Sequence, residues 1–175
     1  VLSLTREDEV IEITTNKGIH YSKAVILTLG NGSFQPRKLN LDNAEAFENH
    51  GLDYFVNDLM KYAGKKVAIA GGGDSAIDWA LMLEPIASEV YLIHRRPEFR
   101  AHEHSVSRLK SSTVNLLTPY LIDGLSGNAG ELSDIRLKKV KSDEIIDLMI
   151  DALIVNYGFT SNLEHLSSWG LDSTR

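Results

Sequence analysis

Apolar and polar positions alternate near the start of the chain, a pattern typical of half-buried strands. Residues 9–13 and 18–21 alternate on either side of an Asn-Lys-Gly turn, which predicts a short β-hairpin or meander. Residues 24–29 then form a continuous apolar run rich in β-branched side chains, closed by a Gly-Asn-Gly turn. Such a run predicts a strand buried on both faces. Residues 33–43, which follow it, have the composition of a linker.

A sharper pattern begins at Lys65. Residues 65–70 form an apolar run that predicts a strand, and three glycines follow it directly. Residues 74–83 place apolar side chains at near-helical spacing, and Glu84-Pro85 is expected to weaken or kink that helix. Residues 90–94 predict the next strand. The whole segment therefore has the length and order of a right-handed β-α-β unit.

The remaining pattern extends this unit into a complete domain. Residues 53–62, before it, predict either a short helix or an ordered loop, and residues 99–110 have helical character. Further strands are predicted at 113–117, 120–125, 132–140, 145–150 and 152–156. The predicted fold class is α/β, a Rossmann-like three-layer domain with a parallel sheet and an appended antiparallel β-meander.

Composition and charge exclude several classes of protein. The chain has 175 residues, 43% of them hydrophobic, a net charge of −6 and no cysteine. It should therefore fold, and any redox chemistry requires a bound cofactor because there is no thiol for a disulfide, an iron–sulfur cluster or a C-x-x-C pair. We expect no membrane span, no nucleic-acid partner, no signal peptide and a cytoplasmic location. A start without methionine suggests an excised domain.

The glycine-rich segment fits the pattern G-x-G-x-x-A between a strand and a helix. In that pattern Gly71 permits a tight turn, Gly73 lets backbone approach a pyrophosphate, and Ala76 lets the helix pack near the strand. The helix N-terminus adds free N–H groups and a positive dipole end. A glycine-rich turn that binds nothing is the alternative. The residues predicted to bind the pyrophosphate are Gly71, Gly72, Gly73, Asp74, Ser75 and Ala76.

The end of the second strand indicates which dinucleotide is bound. An NAD site places an acidic residue there, whereas this chain has His94-Arg95-Arg96. Two guanidinium groups can hold a 2′-phosphate, so the predicted cofactor is NADPH, with Arg100 close by. Residues 94–110 contain five basic and two acidic residues, a net +3, while the rest of the chain carries −9. The alternative is a solvated basic turn.

Two other chemistries are disfavoured. The segment His102-Glu103-His104 consists of residue types that bind metals. A helical i, i+2 pair does not share a face, however, so we expect no metal site. Ser75 is not followed by the glycine of a G-x-S-x-G nucleophile motif, which disfavours a hydrolase. His94 is expected to contact the adenosine phosphate. No catalytic residue is predicted, because a hydride step between cofactors needs no acid or base from the protein.

On these motifs the chain resembles the NADPH half of the two-dinucleotide flavoprotein reductases, particularly the thioredoxin-reductase-like ferredoxin/flavodoxin–NADP reductases. The matching segments are 24–32, 71–76, 94–96 with 99–101, and 151–159. The resemblance implies an NADPH-binding domain at 44–157. It also implies FAD-domain segments with a linker at 1–43 and, truncated, at 158–175.

The resemblance also implies an electron acceptor. Thioredoxin reductases carry their C-x-x-C shortly before the NADPH glycine turn, where this chain has Tyr54-Phe55-Val56-Asn57. Without a dithiol, the implied route runs from NADPH to FAD and on to ferredoxin or flavodoxin. Phe34 would lie close to the flavin, and the full-length protein would be a homodimer.

The chain departs from the family pattern at both ends. It contains neither the FAD glycine fingerprint nor the closing Gly-Asp motif, so we expect it to fold around an NADPH site, not to hold FAD, and to be inactive alone. Two alternatives stay open. One is the NADPH domain of a disulfide reductase relative or monooxygenase relative without its own C-x-x-C, and the other is a non-catalytic NADPH-binding module.

Overall fold

The computed structural model describes residues 1–28, 33–162 and Trp169. Within them the strands are β1 Ser3–Glu7, β2 Val10–Thr15, β3 Gly18–Ser22, β4 Ser33–Pro36, β5 Leu52–Asp53, β6 Lys66–Ala70, β7 Glu89–Ile93, β8 Asn115–Leu117, β9 Tyr120–Asn128, β10 Glu131–Lys139, β11 Ile145–Met149, β12 Ala152–Val155 and β13 Phe159–Asn162. The α-helices are α1 Asp74–Leu83 and α2 Glu103–Lys110, and the 3₁₀ turns are Ala44–Phe47 and Leu59–Tyr62.

The chain divides into two compact units. One comprises residues 1–35 and 159–175, and the other residues 36–158. In the first unit β1, β2 and β3 form an antiparallel sheet, which confirms the predicted meander, and β4 pairs with β13. The domain boundaries expected at residues 43 and 157 stay predictions.

The second unit is built on a parallel sheet with the strand order β5-β12-β6-β7-β8. Alternate residues of β6 enter two different cores because successive side chains point to opposite faces. Val67 and Ile69 pack with α1 and α2, whereas Ala68 and Ala70 pack with the antiparallel sheet β9-β10-β11. Helices, parallel sheet and antiparallel sheet thus form three layers, which confirms the predicted fold class.

Local sequence sets the limits of α1. Gly73, in extended conformation, is its N-cap, and the helix ends at Leu83. Pro85 lacks an N–H and cannot continue the ladder, so the weak point predicted at Glu84-Pro85 is the end of the helix. Neither α-helix of the described residues has the length and apolarity that crossing a membrane would require.

The predicted strand at 24–29 is wrong for the residues that the structure describes. Residues 24–28 form no strand, and Ile26 is 88% exposed. An apolar run becomes a strand only where a neighbour satisfies its backbone N–H and C=O groups, and no described residue pairs with this run. Residue 29 and the glycine turn after it lie outside the described residues.

Three further segments differ in detail from their predictions. The linker expected at 33–43 begins with β4 and contains the buried Leu39, whose N–H donates to the Tyr54 hydroxyl over 3.0 Å. The ambiguous segment 53–62 contains the end of β5 and then a 3₁₀ turn capped by the Asp58 carboxylate. Helical backbone expected from residue 99 begins only at Glu103.

Candidate functional site

The predicted binding residues meet at the carboxyl edge of the parallel sheet. Because neighbouring strands are parallel, the residues that follow them share one edge, the usual place for a ligand in this class of fold. The Gly71 N–H donates to the Ile93 carbonyl over 3.0 Å, and the Asn156 N–H donates to the Ala70 carbonyl over 2.7 Å. These bonds fix the start of the glycine turn (Gly71-Gly72-Gly73) between β7 and β12.

Gly71 is required for close packing and not for an unusual backbone angle. None of the three glycines has the positive φ seen at Gly18 or Gly51, so their backbone angles are open to other residues. A Cβ on Gly71 would lie 2.7 Å from the Asn156 carbonyl oxygen and 2.8 Å from the Ala76 Cβ. The absence of a side chain therefore lets strand, helix and the residue after β12 approach one another.

Gly72 has a different neighbour. A Cβ there would lie 2.2–2.4 Å from three atoms of the His94 ring, so the ring occupies the space beside this glycine. The His94 ring also stacks on Phe99, with centroids 5.5 Å apart and planes at 23°. Burial lowers the pKa of His94 and outweighs a hydrogen bond with the Glu98 backbone, which raises it, and the charges of the neighbouring arginines also lower it.

Gly73 faces open space. The nearest heavy atom to a Cβ built on it is the Arg100 carbonyl oxygen at 3.8 Å. Gly73 is also the N-cap of α1, and a helix N-terminus presents N–H groups that have no partner within the helix. The protein itself thus leaves room beside Gly73 at the point where the helix favours an anion.

The segment between β7 and α2 is fastened to the glycine turn. The Arg100 N–H donates to the Gly72 carbonyl over 2.7 Å, and Arg100 forms an isolated parallel β-bridge with Gly73. The Asp74 carboxylate accepts from the His102 N–H over 2.8 Å, so this acid at the start of α1 holds the start of α2. Next to these residues an open cleft of about 540 Å³ is lined by Asp74, Arg100, Ala101, His102 and Glu103.

Three arginines lie in the segment between β7 and α2, and one of them, Arg100, lines this cleft. Arg95, Arg96 and Arg100 are exposed, and within the described residues no carboxylate forms a salt bridge with any of them. By contrast, the exposed Arg136 is paired with Asp147 at 2.8 Å. Guanidinium groups that have no carboxylate partner are available to a phosphate ligand.

Two buried polar atoms at the same edge have no hydrogen-bond partner. They are Nε2 of His94 and Nδ2 of Asn156. Asn156 was not predicted as a site residue, although one signal was present: it is the first polar residue after the fully buried β12. Its proximity to Gly71 depends on β12 lying beside β6, and the order of strands is not visible in the sequence.

A polar network flanks residues 54–57, the position at which the resemblance places a redox dithiol. Asp53, 6% exposed, accepts from the Lys61 ammonium over 2.7 Å and from the Tyr62 hydroxyl over 2.9 Å. Burial raises the pKa of Tyr62, and the bond to Asp53 raises it further.

Phe34 lies in the other unit, in β4, and its side chain is outside the described residues.

Comparisons with known proteins agree with this arrangement. Residues 1–174 match the family model for pyridine nucleotide-disulphide oxidoreductase. Ferredoxin–NADP reductase from Enterococcus faecalis is 56% identical over 168 residues, 96% of this chain and 50% of that protein. Ferredoxin–NADP reductase 2 from Bacillus subtilis is 58% identical over 165 residues, 94% and 49% respectively. The chain spans about half the length of these relatives.

Solved structures support the fold. Thioredoxin reductase from T. acidophilum matches with a TM-score of 0.86 at 19% identity, covering 99% of this chain and 57% of that one. Thioredoxin reductase from Lactococcus lactis matches with a TM-score of 0.83 at 24% identity, covering 97% and 55%. At this identity the structures show a shared fold and no more. The family model, in contrast, matches nearly the whole chain. The chain therefore belongs to the pyridine nucleotide-disulphide oxidoreductase family.

Proposed function

We propose that this chain is the NADPH-binding part of a flavin-dependent oxidoreductase that passes a hydride from NADPH to FAD and electrons on to ferredoxin or flavodoxin. The observation that supports this proposal most strongly is the set of features at the carboxyl edge of the parallel sheet. There the open space at Gly73 adjoins the N-terminus of α1, and the His94 ring beside Gly72 lies within the electrostatic reach of Arg95 and Arg96, which form no salt bridge with a described carboxylate. These features fit a dinucleotide that bears an additional phosphate.

Each part of the edge has a separate task in this proposal. The backbone of the glycine turn and the first turn of α1 would hold the pyrophosphate through N–H groups and the helix dipole. Arg95 and Arg96 would hold the 2′-phosphate through forked N–H donors, and Arg100 would add charge. The nicotinamide, when bound, supplies the hydride. The chain's own residues bind and orient, and none is proposed as an acid or a base.

The acceptor and the remainder of the protein belong to the same proposal. Two relatives that are more than 50% identical bear the name ferredoxin–NADP reductase, which supports a one-electron carrier as partner. The chain has no cysteine, which disfavours a thioredoxin-reductase-like route through a dithiol. We further propose FAD-domain segments at 1–43 and 158–175, and a cytoplasmic homodimer, on the resemblance alone.

Calorimetric titration of the chain with NADP⁺ and with NAD⁺ tests the binding step. We expect NADP⁺ to bind more tightly, and its affinity to fall as salt rises, because the discriminating contacts are charged. Replacing Arg95 and Arg96 with alanine should cost about 1.5–3 kcal/mol of NADP⁺ binding, roughly 10-fold to 150-fold, and leave NAD⁺ unchanged. Equal affinity of the wild-type chain for both nucleotides would contradict the proposal.

A matched variant separates direct contact from general charge. Arg108→Ala with Lys110→Ala removes two positive charges from the same basic stretch, on α2. It should leave the ratio of the two affinities nearly unchanged. For the acceptor, turnover of the full-length protein with ferredoxin, flavodoxin and low-molecular-weight disulfides should be measured side by side. Activity on the disulfides alone would favour the disulfide reductase alternative.

A further inference from the structure

We propose that His94 is a positioning residue for the glycine turn: its ring seats against Gly72 and holds the backbone that faces the pyrophosphate, and it does not bind the 2′-phosphate. The inference rests on the proposed function and deepens it. It divides the site into a backbone cradle that recognises the diphosphate and a pair of arginines that recognise the additional phosphate. The direct phosphate contact expected of His94 from the sequence is thereby replaced.

The backbone of His94 is fixed at the edge of the sheet. Its N–H donates to the Leu117 carbonyl over 3.1 Å, and its carbonyl accepts from the Tyr120 N–H over 3.0 Å. Phe99 stacks on the ring from the segment that follows. The imidazole therefore extends from an anchored residue and has a packed neighbour, which is what a rigid support needs.

The contact with Gly72 is close. Three ring atoms lie within 2.4 Å of the position that a Gly72 Cβ would take. The Gly72 carbonyl, in addition, accepts the Arg100 N–H over 2.7 Å. One residue of the turn is thus held both by a ring against its Cα and by a hydrogen bond to its carbonyl. Movement of the ring would leave a void beside the turn and free it to shift.

Nε2 of His94 is poorly placed for a phosphate. It is shielded from solvent and has no hydrogen-bond partner among the described residues, so a ligand could reach it only if the ring moved. Burial lowers the pKa of His94 and outweighs a hydrogen bond with the Glu98 backbone, which raises it; the charges of the neighbouring arginines also lower it, and the net effect favours the uncharged ring. Arg95 and Arg96 are exposed, and no carboxylate of the described residues forms a salt bridge with them. They are the groups suited to the 2′-phosphate.

Two fragments of the dinucleotide test this division of labour. ADP carries the diphosphate that faces the turn, and adenosine 2′-monophosphate carries only the additional phosphate. For His94→Ala, the dissociation constant of ADP should rise about tenfold and that of adenosine 2′-monophosphate should change less than about twofold. Arg95→Ala with Arg96→Ala should show the reverse. General destabilisation would weaken both fragments together.

Two further variants test whether ADP binding depends on the ring beside Gly72, even if His94→Ala does not fold. His94→Phe keeps a flat ring against Gly72 and Phe99, so ADP binding should return to within about threefold of the wild-type value. Gly72→Ala should displace the ring by collision and weaken ADP selectively, even where His94→Ala fails to fold. Circular dichroism of each variant checks that it has folded.

The outcomes separate the inference from the function on which it rests. Wild-type binding of both fragments, with His94→Ala losing adenosine 2′-monophosphate as strongly as ADP, would overturn the positioning role alone. Unchanged ADP binding in His94→Ala would also overturn it. A folded wild-type chain that binds neither fragment would overturn the proposed function, and the inference with it.

Discussion

A single methyl group added at Gly71 should destabilise the chain, although alanine is the mildest substitution available. The new Cβ would lie 2.7 Å from the Asn156 carbonyl oxygen and 2.8 Å from the Ala76 Cβ. The first of these atoms is backbone, and the N–H of the same residue is bonded to the Ala70 carbonyl. Relief of the collision therefore requires movement of β12 against β6, or of α1 away from the sheet.

The magnitude follows from two opposing terms. Gly71 does not have a positive φ, so alanine there meets no backbone strain and should gain about 0.4–1 kcal/mol from the lower entropy of the unfolded chain. Overpacking of a close-packed site costs about 1–3 kcal/mol. Collision with two poorly movable atoms favours the upper part of that range. The expected net loss for Gly71→Ala is about 1–2 kcal/mol.

Urea unfolding followed by circular dichroism at 222 nm measures this loss. With a slope near 2 kcal/mol per molar urea, the midpoint should fall by roughly 0.5–1 M. Gly73→Ala is the matched control, because its Cβ has no neighbour closer than 3.8 Å. The gain from the lower entropy of the unfolded chain is opposed there by the loss of glycine at the N-cap of α1, so the midpoint should stay near the wild-type value. If Gly71→Ala unfolds at the same urea concentration as Gly73→Ala, the steric argument for the turn is wrong.

Three other predictions concern titratable and buried polar groups. Asp53→Ala leaves Lys61 and the Tyr62 hydroxyl without their acceptor, and should lower the free energy of unfolding by about 1–3 kcal/mol, measured with urea. Tyr157 is 39% exposed, and partial burial raises its pKa to about 12, so its stabilising contribution is present below about pH 10 and is lost as pH rises towards 12. The difference between wild-type and Tyr157→Phe absorbance titrations at 295 nm should therefore centre near pH 12, and a centre near pH 10 would contradict the burial argument. The lowered pKa of His94 means that the unfolded chain takes up its proton first. Wild type should therefore lose more stability than His94→Phe as pH falls below about 6.5, and parallel urea midpoints between about pH 7 and 5 would refute this.

The β-α-β unit could be predicted because its signals are local. Three signals lie close together in the sequence: the apolar run before Gly71, the glycines, and the helical spacing after Asp74. Pro85 ends the helix because it has no N–H to donate, which is a local effect as well. The meander of β9, β10 and β11 was likewise predictable, since turns and alternation determine an antiparallel ladder between neighbours in sequence.

Elements that depend on distant partners could not be predicted in this way. β5 has only two residues, and they pair with Leu153 and Ile154, about a hundred positions later. No periodicity is detectable in two residues. Residues 24–28 show the opposite case, in which a strong local pattern for a strand exists but no described residue supplies the ladder. Local preference states what a segment can become, and its neighbours decide whether it does.

The glycine turn shows the same limit at the level of the site. In the sequence, the glycine turn forms part of one ligand-binding motif, G-x-G-x-x-A. In the structure, each of its three glycines has different neighbouring atoms. Asn156 and Ala76 exclude a side chain at Gly71, and the His94 ring excludes one at Gly72, so the protein's own packing accounts for both. Gly73 alone of the three has space beside it. The third glycine is therefore the part of the turn that packing does not explain and that supports ligand binding. A Gly73→Ala chain that is stable but no longer binds ADP would separate the requirement for binding from the requirement for folding.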